Sequence, residues 1–131
     1  MKAIQASGKR KKAVARATVT AGKGRVLVNK LPVEEFGNPL TQARIKEPVI
    51  LAGKDAKKID IHVVSDGGGI SGQADAIRLA IGRALAEHKP ALKDVFLDYD
   101  RTLLVADVRR KEASKPNSQG QARSKRQKSY R

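Results

Sequence analysis

Residues 57–88 read KKIDIHVVSDGGGISGQADAIRLAIGRALAEH, and their hydrophobic period changes partway. From Lys57 to Ser65, the residues Ile59, Ile61 and Val63 alternate with Lys58, Asp60 and His62. A period of two marks a strand with one buried face. Asp66-Gly67-Gly68-Gly69 follows as a loop. From about Ile70 to His88 the residues Ile70, Ala74, Ile77, Ile81, Ala84 and Leu85 recur at helical spacing, with Arg78 and Arg83 off that stripe. Leu79 lies on the opposite side and has no evident partner. A strand, a glycine turn and a long amphipathic helix in succession point to helices packed on a sheet.

Upstream, residues 12–20 (KAVARATVT) place Ala13, Ala15, Ala17 and Val19 on one face and Lys12, Val14, Arg16, Thr18 and Thr20 on the other. This predicts a strand whose second face is cationic. Ala21-Gly22-Lys23-Gly24 reads as a turn, and Arg25 to Asn29 as the hairpin partner of that strand. Pro32 suits the first position of a short helical turn that Gly37 ends. Residues 40–52 (LTQARIKEPVILA) read as a helix that Pro48 should kink or divide. Downstream, Pro90 ends the long helix, a short helix spans Ala91 to Phe96, and Thr102 to Ala106 (TLLVA) reads as a last short strand. The order β-β-α-β-α-β predicts an α+β domain, with a mixed four-stranded sheet carrying its helices on one face. The default hand for a strand-helix-strand crossover is right-handed.

The chain of 131 residues has 28 Lys and Arg against 13 Asp and Glu, a net charge of +15. The excess sits at the ends. Residues 1–16 carry six basic side chains (Lys2, Lys9, Arg10, Lys11, Lys12, Arg16) and no acid. Residues 109–131 carry nine (Arg109, Arg110, Lys111, Lys115, Arg123, Lys125, Arg126, Lys128, Arg131) against Glu112 alone. Between them, 13 bases nearly balance 12 acids. This divides the chain into a globular domain over 1–108, with a basic N-terminal strand, and a basic extended tail over 109–131. The tail has no aliphatic residue beyond alanine in SKPNSQGQARSKRQKSYR, so it is expected to be disordered when free. Two cationic arms on a nearly neutral body call for a polyanionic partner, most simply nucleic acid. No stretch reads as a membrane span or a secretory signal, and a soluble intracellular protein is expected.

Catalytic readings are thin. Gly67-Gly68-Gly69-Ile70-Ser71-Gly72 satisfies G-x-G-x-x-G between a strand and a helix, the context of a dinucleotide fingerprint. Repeated βαβ units are missing, however, and Glu87, near the position of a ribose-binding acid, falls inside the helix. A tight strand-to-helix turn, close to an RNA phosphate, is the better reading. There is no cysteine, and His62 and His88 lack metal-ligand spacing, so neither metal nor cofactor is expected. Asp94, Asp98 and Asp100 read as a helix end paired with Arg101. The four aromatic residues (Phe36, Phe96, Tyr99, Tyr130) are too few for a base-stacking platform. Phe36, Phe96 and Tyr99 are assigned to the core, and Tyr130 to contact with a base. Two competing classes are a histone-like DNA-binding protein, which fits the small, basic, cysteine-free composition, and a phosphate-binding enzyme, which nucleotide protection against thermal unfolding would reveal.

Taken in order, several stretches resemble one family, the universal ninth protein of the small ribosomal subunit. Gly67-Gly68-Gly69, then Gln73-Ala74-Asp75-Ala76-Ile77-Arg78 and Gly82-Arg83-Ala84-Leu85, resemble its signature. Gly8-Lys9-Arg10-Lys11-Lys12-Ala13-Val14-Ala15 is similar to its basic opening strand. Residues 99–107, Arg109-Arg110 and the terminal Gln127-Lys128-Ser129-Tyr130-Arg131 resemble its archaeal and eukaryotic branch. Val108 stands where that branch usually has proline, and Gln121-Ala122-Arg123-Ser124-Lys125-Arg126 departs from its usual tail.

The resemblance implies a left-handed βαβ crossover, contrary to the default, and a structural constituent of the subunit head without catalysis. Its expected partners are small-subunit ribosomal RNA, neighbouring head proteins and, through the tail, P-site transfer RNA, in the cytoplasm and not as a homo-oligomer. The RNA-binding residues expected are Lys9, Arg10, Lys11, Lys12, Arg16, Arg78, Arg83, Arg109, Arg110, Lys111, Arg123, Lys125 and Arg126. Lys128, Ser129, Tyr130 and Arg131 are expected near the transfer RNA, and Gly67, Gly68, Gly69 and Gly72 in the strand-helix loop.

Overall fold

The computed structural model describes residues 2–109. Strands β1 (Ile4–Arg10), β2 (Ala13–Ala21), β3 (Val26–Val28), β4 (Leu31–Pro32) and β5 (Ile59–Asp66) form one mixed sheet in the order β1-β2-β5-β3-β4. Three helices, α1 (Pro39–Ala52), α2 (Ile70–His88) and α3 (Ala91–Tyr99), complete the α+β fold. The sheet register puts Ala13, Ala15, Ala17 and Val19 of β2 on the same face as Ile61 and Val63 of β5, and all six are buried. That face lies under α2, whose Ala74, Ala76, Ile77, Ala80, Ile81, Ala84 and Leu85 are buried against it. Small residues on both sides bring the helix close to the sheet.

Three sequence expectations change. The sheet has five strands rather than four: β1 and the two-residue β4 were not anticipated, and the strand expected at 102–106 is absent. Ile4, Ala6 and Gly8 do alternate inward, but they are a weak hydrophobic signal. Gly8 is required: a Cβ there would lie 2.2 Å from the Ala76 carbonyl oxygen. Leu79, unplaced by sequence, packs over this strand and is buried.

Second, β3 is not the hairpin partner of β2. It lies on the far side of β5 and runs parallel to it, with Ile61 N–H donating to the Arg25 carbonyl and Asn29 N–H to that of Val63. The two strands are joined through α1. β2 instead pairs with β1 and β5, both antiparallel. Asp60 holds the β2–β3 connection by accepting the N–H groups of Lys23 and Arg25 at 3.0 and 3.1 Å. The Arg25 N–H, then the Lys23 N–H, keep its carboxyl below the usual carboxylate range.

Third, Thr102 to Ala106 is no strand. Residues Arg101–Leu103 form a 3-10 turn capped by the Asp100 side chain, which accepts the Thr102 N–H. Leu103 is buried against α2 where Gly82 lies, and a Cβ on Gly82 would stand 2.4 Å from the Leu103 carbonyl oxygen.

Pro48 sits inside α1 without dividing it, since Ile45, Pro48 and Ala52 are all buried and hold the helix through the lost hydrogen bond. Asn38 and Thr41 close a reciprocal cap at its start, with Pro39 at the first position. The short turn after Pro32 (Val33–Glu35) is present. α2 keeps its predicted bounds, although Ile70 in its first turn is exposed. No helix among the described residues is long and apolar enough to cross a membrane.

Candidate nucleic-acid interface

β1 and β2 are joined by two residues, Lys11 and Lys12, with Lys11 in the left-handed region at φ 53°. This tight tip exposes Lys9, Lys11 and Lys12 together. Arg16 is exposed further along β2, opposite Ser7 on β1 and Val64 on β5.

The glycine loop buttresses the tip. Gly67 and Gly68 have φ of 77° and 64°, and a Cβ on Gly67 would stand 2.5 Å from the Lys12 carbonyl oxygen. A Cβ on Gly68 would be tight but less so, 3.1 Å from the Ala13 nitrogen, whereas Gly72 makes only ordinary contact with Ala13 and Gly69 faces open space. The loop is further tied by Gln73 Nε2 donating to the Gly67 carbonyl at 3.0 Å. Gly69 is the N-cap of α2, so the partial positive end of the helix dipole lies at the same end of the molecule as these lysines.

Other predicted RNA contacts turn inward. Arg78 is only 9% exposed. Its Nε donates to Glu47 Oε2 at 2.8 Å, Nη1 to Thr102 Oγ1 at 2.9 Å and Nη2 to Asp100 Oδ2 at 2.9 Å. Burial works against the Arg78 charge, but its hydrogen bonds to the Glu47 and Asp100 carboxylates outweigh it and raise its pKa. Burial likewise pushes the Asp100 carboxyl up, and the Thr102 N–H and hydroxyl together with Arg78 overcome this and lower it.

Arg83 donates from Nε to the Leu104 carbonyl and from Nη1 to the Ser7 carbonyl, both at 3.0 Å. Of the side chains expected to meet RNA, Arg78 and Arg83 thus bond within the fold, Arg78 through all three guanidinium nitrogens and Arg83 through two of its three.

Arg10 does similar work. Its Nη1 lies 3.1 Å from Asp107 Oδ2 and donates to the Arg109 carbonyl at 3.5 Å, and its Nε is 3.7 Å from Asp75. The Arg109 guanidinium donates to both oxygens of Asp107 and shares Oδ2 with Arg10, and its side chain is 79% exposed. The Arg109 side chain and N–H, aided by the Arg10 charge, hold the Asp107 carboxyl well below the usual range.

This network fastens the chain at Arg109, where the basic C-terminal segment begins, to the end of β1. Between them lies a cleft of about 650 Å³, walled by Lys9, Arg10, Arg44, Asp75, Arg78 and Asp107 among others. Tyr99, assigned by sequence to the core, is 56% exposed on its wall. Its spacing puts it on the same helical face as the buried Leu92 and Phe96, but it is the last residue of α3, where the helix ends at the cleft. Arg44 also lines this cleft, and sequence gave no signal for it beyond its charge. Arg110, Lys111, Arg123, Lys125, Arg126, Lys128, Ser129, Tyr130 and Arg131 lie outside the described residues.

Residues 8–131 match the family described as "Ribosomal protein S9/S16". The chain belongs to the ribosomal protein S9 family. It is 47% identical over 134 residues to the small ribosomal subunit protein uS9 of Methanococcus maripaludis (strain C7), and equally so to that of Methanococcus vannielii, with all of both chains covered in each case. As an S9-family ribosomal protein it is a structural constituent of the small subunit, working in the ribosome and in translation, and not an enzyme. The G-x-G-x-x-G match is accounted for by the close packing of Gly67 and Gly68 on the hairpin tip.

Proposed function

We propose that the chain binds ribosomal RNA in the head of the small subunit through two adjoining cationic elements. One is the hairpin tip with Lys9, Lys11, Lys12 and Arg16. The other begins at Arg109 and continues through Arg110, Lys111, Arg123, Lys125 and Arg126. The observation that carries this reading is the Arg10–Asp107–Arg109 network, which sets the start of the C-terminal segment against the hairpin. Side by side, the two concentrate positive charge on one part of an otherwise balanced molecule. Each arm exchanges condensed counterions for Lys and Arg contacts with phosphate. Arg10 serves by orienting the segment.

The family resemblance extends the proposal to Lys128, Ser129, Tyr130 and Arg131, which reach toward P-site transfer RNA. Fully extended, the 23 residues from 109 to 131 span at most about 75–80 Å. The test is removal of 124–131 from reconstituted small subunits. Assembly is expected to persist while P-site transfer RNA affinity falls. Equal affinity in truncated and full-length particles refutes the role assigned to the segment.

A further inference from the structure

The helices cover one face of the sheet and leave the other open. The register lists what that face carries: Gln5, Ser7 and Lys9 from β1, Val14, Arg16, Thr18 and Thr20 from β2, and Asp60, His62, Val64 and Asp66 from β5. Two acids face two cations, but they are not equally available. Asp60 is occupied by the Lys23 and Arg25 N–H groups and the Arg25 guanidinium, and Asp66 accepts the Gly67 N–H. Lys9 and Arg16 have no ion pair among the described residues.

The helical side is arranged differently. Arg44, Lys46 and Lys89 are paired with Asp75, Glu34 and Asp55, and α3 exposes Asp94 and Asp98 beside Lys93. On the open sheet face Lys9 and Arg16, unpaired among the described residues, are continued by Lys11 and Lys12 at its end, which gathers four cations along one edge.

The chemistry between these cations narrows the partner further. Thr18, Thr20, Ser7 and Gln5 are small donors and acceptors, and Val64 is 63% exposed beside Arg16. The face has a single aromatic ring, His62, and no Phe, Tyr or Trp, too little for a platform of successive unstacked bases. A five-stranded sheet gives a surface roughly 20 Å across. Such a surface, carrying short hydroxyl and amide groups, suits the wide, shallow minor groove of an A-form RNA helix, where 2′-hydroxyls and phosphates are displayed.

We infer that the open sheet face docks on the sugar–phosphate edge of an RNA duplex through its minor groove, Arg16 and Lys9 meeting phosphates and Thr18 a 2′-hydroxyl. This rests on the RNA-binding proposal above and names the surface and the form of RNA.

The experiment uses the full chain with three probes: a small-subunit ribosomal RNA transcript, a short RNA duplex, and a DNA duplex of the same sequence. Variants are Arg16→Glu and Thr18→Val on the open face, and Lys93→Glu and Lys54→Glu on the helical side, with circular dichroism to confirm that each is folded. Arg16→Glu is expected to weaken both RNA probes about tenfold and to flatten the salt dependence by about one unit of log–log slope. Thr18→Val is expected to reduce the preference for RNA over DNA about threefold, and the helical-side variants to change little. Equal binding of RNA and DNA duplexes by the parent overturns the inference. So do loss confined to the helical-side variants and an open face whose variants bind RNA normally, the behaviour of a protein-docking surface. If the parent binds no ribosomal RNA transcript at all, the RNA-binding proposal itself has failed.

Discussion

Replacing Arg78 with leucine separates two roles that a basic residue on a ribosomal protein can have. The guanidinium gives hydrogen bonds to Glu47, Asp100 and Thr102, and its removal leaves two carboxylates facing each other across the vacated space. Breaking a buried ion pair by deleting one member costs about 3–5 kcal/mol. Here the carboxylate side chains are 32% and 39% exposed, so water recovers part of that loss. The expected destabilisation is about 2–3 kcal/mol, roughly 10 °C or more in the melting midpoint of a domain this size. Urea unfolding of the isolated chain, followed by circular dichroism, measures it. Glu47→Gln made in the Arg78→Leu background should cost about 1 kcal/mol less than in the parent, since the partner is already gone. The salt slope of RNA binding should stay at the parent value under conditions where the variant is folded. A variant within about 0.5 kcal/mol of the parent in stability, but with weaker RNA binding and a slope flatter by about one, refutes the structural assignment and restores Arg78 to the RNA contacts.

Gly8→Ala forces a Cβ toward the Ala76 carbonyl, and the strand or α2 must shift; we expect a loss of roughly 2–3 kcal/mol in the same urea assay. Replacing Lys11 and Lys12 together with glutamate should leave the circular dichroism spectrum unchanged and weaken ribosomal RNA binding at least tenfold in filter binding, because both side chains are exposed at the hairpin tip. Asp60, Asp100 and Asp107 all have depressed pKa values in the folded protein. Their contribution to stability is fully present above the unfolded carboxylate value of about 4 and disappears as pH falls below it. The urea midpoint should therefore hold from pH 7 to about pH 5 and drop steadily below about pH 4, less steeply in Asp107→Asn.

The strand-loop-helix segment at 59–88 was legible because its two periods are both strong and glycines separate them. The strand at 13–21 was legible for the same reason. β1 was missed because Ile4, Ala6 and Gly8 carry little apolar surface; their inward alternation acquires meaning only when α2 lies across it. The partner of β2 was misassigned because adjacency in sequence favours a hairpin, whereas three residues of β3 find more to bury beside β5. Among the site residues, charge alone identified Lys9, Lys11, Lys12 and Arg16 as exposed cations. It did not distinguish them from Arg10, Arg78 and Arg83, whose acceptors come from segments far away in the chain. Tyr99 was drawn into the core by its aromatic ring; it shares a helical face with Leu92 and Phe96, but as the last residue of α3 it ends on the cleft wall.

The bonds that fasten β1 also set an order of events during synthesis. Ser7 receives a hydrogen bond from Arg83, 76 residues later, and Arg10 reaches the carbonyl of Arg109, 99 residues later. The first strand to leave the ribosome that makes it must wait for almost the whole body to emerge before its edge is secured. Until then the lysine-bearing tip has no fixed geometry to offer, so a chain interrupted partway through α2 lacks the shape needed to compete for its place in an assembling particle.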